Sequence, residues 1–398
     1  MDTVEVAVVG GGPAGLTAAV ALARAGVDTA LISKRPPDDQ RTTALLLGSV
    51  TALETLGVWP RCKADAAPLR SMRIVDDTRR LLRAPELVFA AAEIGLEAFG
   101  YNIANKHLLA ALDAEAAQFA GLARVESTAQ ALVISADRVT IRLADGGAIS
   151  ARLVVGADGR NSLCRAAAGI DSDRHALAQT ALTFNLGHAR PHNDISTEFH
   201  ATAGPFTLVP LPGRRSSLVF VSDPATAGAV AALDDAALAE DLERRAHSIL
   251  GAMTVEPGRG LFPLAAQIAR YFAADRIALV GEAAHVLPPI GAQGLNLGLR
   301  DAAAIAEIVA EAKRAGGDVG DPGLLARYDR MRRPDIASRA LAVDLLNRTL
   351  LSDFLPLQAG RQLGFWLAEC VGPLRRALMR EGVAPAFWQP RLMRGEGL

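Results

Sequence analysis

The spacing of apolar positions changes several times along the chain, and each change marks an element. Residues 4–9 (VEVAVV) form a short β-branched run, GGGPAG follows, and LTAAVALARAG then repeats its apolar residues at helical spacing. VDTALIS (27–33) returns to the pattern of a buried strand. Strand, helix and strand in that order predict a βαβ unit and a parallel sheet. Strand–turn–helix patterns recur at ARLVVGADGRNSLCRAAAG (151–169) and where RIALVG (276–281) leads toward DAAAIAEIVAEAKR (301–314).

Between these stretches, alternation replaces helical spacing. ALVISADRVTIRLADGGAIS (131–150) alternates, with turns at AD and DGG, and predicts a β-meander. SMRIVDD (71–77), TALTFNLG, STEFHA and FTLVPLPGRRSSLVFVS read as further strands, with PLPGRRSS as a hairpin connection. Helical patterns cover TALETLGVWP, closed by Gly57 and Pro60, and YNIANKHLLAALDAEAAQFA (101–120), with Asn105 as N-cap. DDAALAEDLERRAHSIL (234–250) reads as an amphipathic helix. The remainder from 301 is mostly helical, broken by GGDVGDPG (316–323), and RYDRMRRP (327–334) reads as a solvated helix end. The expected fold is α/β. A Rossmann-like nucleotide-binding domain (1–70, 100–175 and 270–312) is interrupted by a mixed or antiparallel β-sheet substrate domain (71–99 and 176–269) and followed by a helical C-terminal region (313–398).

Composition narrows the function classes. Half of the 398 residues are hydrophobic, enough for a sizeable core. The net charge is −1 and no basic stripe is present, which argues against nucleic acid as a partner. Cys62, Cys164 and Cys370 lie far apart without metal-ligand spacing, so they are expected to be buried, reduced thiols, and no metal is expected. MDTVEVAVVGGG enters a strand without a basic leader, and no run approaches the roughly 20 apolar residues of a membrane span. A cytoplasmic protein is expected.

Three segments carry candidate chemistry. In 10-GGGPAG-15, Gly10, Gly12 and Gly15 occupy the positions of GxGxxG around Pro13 and Ala14. The first glycine permits a tight turn, the second lets a pyrophosphate approach the backbone, and the third lets helix and strand pack closely. Because the motif follows a strand and opens a helix, it points to a dinucleotide at a helix N-terminus. The acidic residue expected at the end of the second strand is Ser33 here; Asp38 and Asp39 are the nearby carboxylates. Ser33 can accept a hydrogen bond but carries no charge, so weakened adenosine binding is expected. The second segment, 154-VVGADGRNSLCR-165, has a turn at Asp158-Gly159 flanked by Arg160 and Arg165. Taken alone, it reads as an ordinary turn. The third, 281-GEAAHVLPPIGAQGLNLGLRD-301, is long and apolar for a strand-to-helix connector, yet it contains Glu282, His285 and Asn296. A helix is expected near Leu295, with Gly291 and Gly294 before it and a stiff wall at Pro288-Pro289.

With these three segments in this order, the chain resembles the FAD-dependent aromatic hydroxylases of the p-hydroxybenzoate hydroxylase type. It is most similar to the ubiquinone-biosynthesis polyprenylphenol hydroxylases, on RTTALLLGSVTALETLGVW (41–59), GPFTLVPLPGRRSSLVFV (204–221), FPL (262–264), QGLNLGLRDA (293–302) and DLLNRTLLSDFLPLQAGRQLGFWL (344–367). The resemblance implies FAD and NAD(P)H as cofactors, and a phenolic, polyprenylated substrate and O2 as reactants. It implies a monooxygenase that acts through a flavin C4a-hydroperoxide.

It also implies roles by position. Gly10, Gly12 and Gly15 cradle the pyrophosphate. Arg41 contacts FAD near its phosphates, and Asp158 serves the FAD and nicotinamide sides. Gly281 and Glu282 meet the ribitol and pyrophosphate. Pro289 lies by flavin and substrate, and Gly294, Leu295 and Asn296 offer groups to the ring. Ser33, Asn105 and Gly291 join the cofactor-side set. An unpaired helix N-terminus there would stabilise reduced flavin, an anion at its pyrimidine edge. His285 and Pro289 are the candidates for the catalytic side, His285 as a phenol base or as a structural hydrogen-bond group.

Three features depart from the family pattern. They are Ser33, Glu282 where Asp is commonest, and PPIGAQG in place of HPIAGQG. Phe199 and Phe206 read equally as substrate lining or core. The Leu-, Phe- and Trp-rich C-terminal segment reads as packed helices, or as a peripheral surface at the inner face of a membrane or in a quinone-synthesis complex. A polyprenyl-group reductase and a weakly FAD-binding, non-catalytic complex member are the alternative functions.

Overall fold

A computed structural model describes residues 2–34, 39–78, 85–289, 291–351 (backbone only from 346), 366, 370–383 and 388–398. The β-branched run Asp2–Val9 is the hub of the first sheet. It pairs in parallel with Thr29–Ile32 on one side and Ala148–Gly156 on the other. Leu122–Val125 and Ile277–Leu279 extend the parallel set outward. Helices α1 (Pro13–Arg24), α2 (Leu47–Thr55), α3 (Asn105–Ala116) and α4 (Leu163–Ala167) follow in chain order. The central stretches of these strands, Val6–Val9, Ala30–Ile32 and Leu153–Val155, are apolar and buried because helices cover both faces of such a sheet. Val6, Val8, Leu153, Ile277 and Ala18 are fully buried in this core, and each fully buried branched side chain contributes about 1.5–3 kcal/mol. The meander is present as Ala129–Ile134, Val139–Leu143 and Ala148–Gly156.

The second sheet is mixed. Its long strand Ser172–His188 pairs antiparallel with Gly260–Ala269 and Arg215–Ser222, and Ile195–Ala201 pairs in parallel with Ser71–Asp76. Helices α5 (Pro224–Ala231) and α6 (Asp235–Arg245) accompany it. Phe199 and Phe206 pack with Leu238 and Leu242 of α6, so both belong to the core under that helix. The chain then returns to the first sheet and forms α7 (Gln293–Arg314), α8 (Pro322–Leu351) and α9 (Gly372–Val383).

Several local expectations are corrected. Residues Gly100–Ala104 are a strand, and Asn105 is the first helical residue, with Ala104 at the cap position. The YNIA alternation is short and runs straight into a strong helical period, which hides the boundary. RYDRMRRP lies inside α8, where Tyr328 and Arg332 are buried. α7 starts at Gln293, two residues before Leu295, after Ala292 turns the chain at φ +54°. Cys62 and Cys164 are buried, and burial pushes the Cys62 thiol up to about 11, but Cys370 is exposed. Most of the 344–367 segment lies outside the residues described in full. No helix among the described residues is long and apolar enough to cross a membrane.

Candidate active site

The three glycine-containing turns meet at one place. Gly10 has φ +115°, and a Cβ there would lie 2.2 Å from the Ala157 carbonyl oxygen of the second turn. A Cβ at Gly15 would lie 2.0 Å from the carbonyl oxygen of Gly10. The protein's own packing requires glycine at both positions. Gly281, at φ +60°, faces Ala14, where a Cβ would come within 3.2 Å of its side chain. Gly298 of α7 closes the stack, since a Cβ there would lie 3.0 Å from the Cα of Gly281. α1, the 281–286 turn and α7 therefore touch almost backbone to backbone.

Gly12 and Gly294 are different. A Cβ at either would meet nothing within 4 Å, and neither has positive φ. Glycine in the first turn of α7 even costs up to about 1 kcal/mol relative to alanine. Both positions mark helix N-termini with no capping side chain. The opening N–H groups of such helices lack intrahelical partners and favour an anionic group. Bare backbone with free donors, facing open space, fits the pyrophosphate at Gly12 and the electron-rich edge of a flavin at Gly294.

Charged groups ring the same space. Arg160 Nε lies 3.5 Å from Glu282 Oε2, and Glu282 is half-exposed. Arg165 Nη1 donates to the carbonyl of Ala283 at 2.9 Å and ties the second turn to the third. Asp158 accepts from Ser162 Oγ at 2.5 Å and from the Cys164 N–H at 3.0 Å, so its carboxylate braces its own turn. Arg41 forms a bidentate pair with Asp39 at 2.8 Å and lies over the Phe262 ring, 5.3 Å from its centroid. That pairing raises the guanidinium pKa further, with the Glu282 charge adding to it. Asn105 donates to Asp39 and accepts from Thr43 Oγ1. Asp39 is thus engaged with Arg41 and Asn105; Asp38 lies outside the described residues. Ser33 follows the second strand beside Gly11, where a Cβ would fall 2.6 Å from its Oγ.

A family model described as FAD binding domain matches residues 3–342. The chain belongs to this FAD-dependent hydroxylase family. Ubiquinone hydroxylase UbiL of Rhodospirillum rubrum is 36% identical, over 98% of this chain and 92% of its own. The 3-demethoxyubiquinol 3-hydroxylase of Escherichia coli K12 is 31% identical, over 94% and 97%. Among solved structures, p-nitrophenol 4-monooxygenase PnpA of Pseudomonas putida shares the fold, with TM-score 0.77 and 20% identity over 96% of this chain and 98% of that one. The protein is an FAD-dependent monooxygenase, and NAD(P)H is the reductant typical of its family.

In this flavoprotein two polar residues of the third segment have structural partners. Asn296 is buried, and all four of its side-chain bonds are internal. Its Oδ1 accepts from Leu46 N at 2.8 Å and Ser49 Oγ at 2.7 Å, and its Nδ2 donates to the carbonyls of Ala44 and Ala292. Only its backbone is left to face a cofactor. His285 is fully buried and its Nε2 lies 2.6 Å from Asp301 Oδ2, which corrects its candidacy as a phenol base in favour of the structural alternative. Pro289, Gly291 and Gly294 are exposed and Leu295 is half-buried beside the open space.

Asp301, Arg332 and Gly298 escaped the sequence reading. A signal existed for two of them. Gly298 is a helix-interior glycine, which marks close approach. Asp301 falls on the apolar stripe Leu297, Ala304, Ile308 at helical spacing, where a charge needs a partner. Nothing local marked Arg332 as that partner.

Proposed function

We propose that this flavoprotein hydroxylates the ring of a phenolic, polyprenylated intermediate of ubiquinone biosynthesis, with NAD(P)H and O2 as co-substrates. The substrate class is supported by two relatives, matched nearly end to end, whose names are those of ubiquinone-pathway hydroxylases. The observation that carries the site itself is the pair of bare glycines, Gly12 and Gly294, at uncapped helix N-termini on either side of the 281–286 turn.

FAD, when bound, supplies hydride acceptance and oxygen activation. The chain does the rest. Gly10, Gly12, Pro13, Ala14 and Gly15 form the pyrophosphate cradle at the start of α1. Ser33 and Arg41, with Asn105 behind Asp39, serve the adenosine and phosphate side. Asp158 keeps the second turn in place, and Glu282 meets the ribitol. Backbone N–H groups from Gly291 to Leu295 meet the ring, with Asn296 fixing the start of the helix behind them. The apolar Val286–Pro289 stretch keeps water from the reacting centre. His285–Val286 pairs with Gly260–Ala269, so the cofactor turn is also an edge of the second sheet. In this reading that sheet bears the phenol against the flavin.

A peripheral membrane site belongs to the same proposal. Leu341 and Leu345 of α8 and Leu374 and Leu378 of α9 are exposed, and Arg376 and Arg380 accompany them on α9. Apolar residues flanked by arginines suit an interface with anionic lipid. The deciding experiment is turnover of purified yellow protein under isotopically labelled O2 with a polyprenylated phenol. One labelled oxygen in the ring is expected. Flavin reduction without ring labelling would instead indicate a reductase, and protein that takes up no FAD would overturn both.

A further inference from the structure

The turn that carries Glu282 is held at both ends by a single buried carboxylate. Asp301 projects from the third turn of α7 back toward the helix N-terminus, as side chains on a helix do. Its Oδ2 accepts from the Gly281 N–H at 3.1 Å, where the turn starts, and from His285 Nε2 at 2.6 Å, where it ends. Its Oδ1 accepts from Arg332 Nε of α8 at 2.6 Å. Arg332 also reaches Asp335 at 2.8 Å, which binds Arg300 at 2.6 Å. All three partners of Asp301 are buried. Burial alone would raise the Asp301 pKa, but the Arg332 guanidinium and His285 outweigh it and hold the pKa down at about 2. The carboxylate is therefore ionised, and His285 Nε2–H must be a donor to it. His285 Nδ1 has no hydrogen-bond partner among the described residues. The Asp301 contact is thus what orients the ring.

We infer that Asp301 is a positioning residue for the cofactor turn, with Arg332 as its counter-charge on the far side. One carboxylate grips the first N–H and the last side chain of the 281–285 segment, so it sets the height and tilt at which Glu282 and the turn backbone are presented to FAD. Arg332 meets the other oxygen, and its hydrogen bonds among the described residues go to Asp301 and Asp335 rather than to the turn. Replacing Asp301 therefore releases the turn, whereas replacing Arg332 costs fold stability and leaves the two grips on the turn in place. This inference rests on the reading of the 281–286 turn as an FAD contact.

The test separates affinity from stability. FAD is removed from wild type, Asp301→Asn, Arg332→Met, His285→Gln, His285→Leu and Glu282→Gln. Each apoprotein is melted, then titrated with FAD by flavin fluorescence, and the visible spectrum of each reconstituted protein is recorded. Asp301→Asn should weaken FAD binding about tenfold or more, with an altered flavin band. Arg332→Met should lower the melting temperature at least as much but weaken binding by less than about threefold. His285→Gln, which can keep a donor near the Nε2 position, should bind FAD far better than His285→Leu. The His285 pair decides the matter if Asp301→Asn does not fold. FAD affinity that follows melting temperature across all the variants, or equal binding by the two His285 variants, would overturn the inference. Unchanged affinity in Glu282→Gln together with Asp301→Asn would mean instead that the turn does not contact FAD.

Discussion

The N-termini of α1 and α7 are two solutions to one problem. Both helices begin after glycine-rich turns, neither has a capping side chain, and the opening N–H groups of both lack intrahelical partners. α4, α5 and α6, by contrast, are capped by Ser162, Asp223 and Asp234. At α1 the backbone alone sets the geometry, because Gly10 and Gly15 admit no side chain. At α7 side chains set it, with Asn296 bracketing α2 and Asp301 gripping the preceding turn. The first device is local and rigid. The second borrows its geometry from distant segments, so it can be tuned from outside the site.

The comparison can be broken most forcefully at α1. Gly15→Ala would force a Cβ against the Gly10 carbonyl, and a loss of about 3 kcal/mol or more is expected. Chemical denaturation of any soluble product would measure it. Next comes Asn296→Ala, which leaves the Leu46 N–H, the Ser49 hydroxyl and the Ala44 carbonyl to find new partners. An unfolding free energy lower by about 2 kcal/mol is expected, with weaker FAD retention on a desalting column.

A pH series sharpens the contrast, because only the α7 device contains a titrating group. Asp301 is depressed to about 2 in the folded protein. A carboxyl with a folded pKa below its unfolded value of about 3.9 contributes stability above that value and loses it as pH falls toward the folded pKa. The stability gap between wild type and Asp301→Asn should therefore be constant above about pH 5 and shrink between about pH 4 and pH 2. Denaturant titrations across that window check it. The smallest effect is expected at Ser33. A charged acceptor there would strengthen one hydrogen bond by about 1 kcal/mol, so Ser33→Asp should bind FAD roughly fivefold more tightly.

How legible each device was follows from how local it is. GGGPAG could be read because strand, glycines and helix are contiguous, whereas the second turn, taken alone, had nothing to set it apart from an ordinary Asp-Gly turn. The partners of Asn296 lie 250 residues away in Leu46 and 247 away in Ser49, so its role as a bracket had no local trace. His285 carried a hydrogen-bond role in the sequence reading, but its partner 16 residues on was not named. RYDRMRRP looked solvated because five of its eight residues are charged. Burial of Arg332 depends on Asp301, 31 residues earlier, which no periodicity links to it. The strand Gly100–Ala104 was absorbed into the helix that follows because five residues of alternation are outweighed by a long helical period.

The central claim is that FAD lies against both helix N-termini, and the bare glycines test it most directly. Gly12→Ala and Gly294→Ala should fold as well as wild type without cofactor, since a Cβ at either position meets nothing within 4 Å. Gly294→Ala should melt slightly higher, alanine being favoured over glycine in a helix by about 1 kcal/mol. FAD titration of each apoprotein should nonetheless show binding weakened about tenfold or more, because the added methyl stands where the cofactor approaches. Wild-type affinity in both stable variants would contradict the claim.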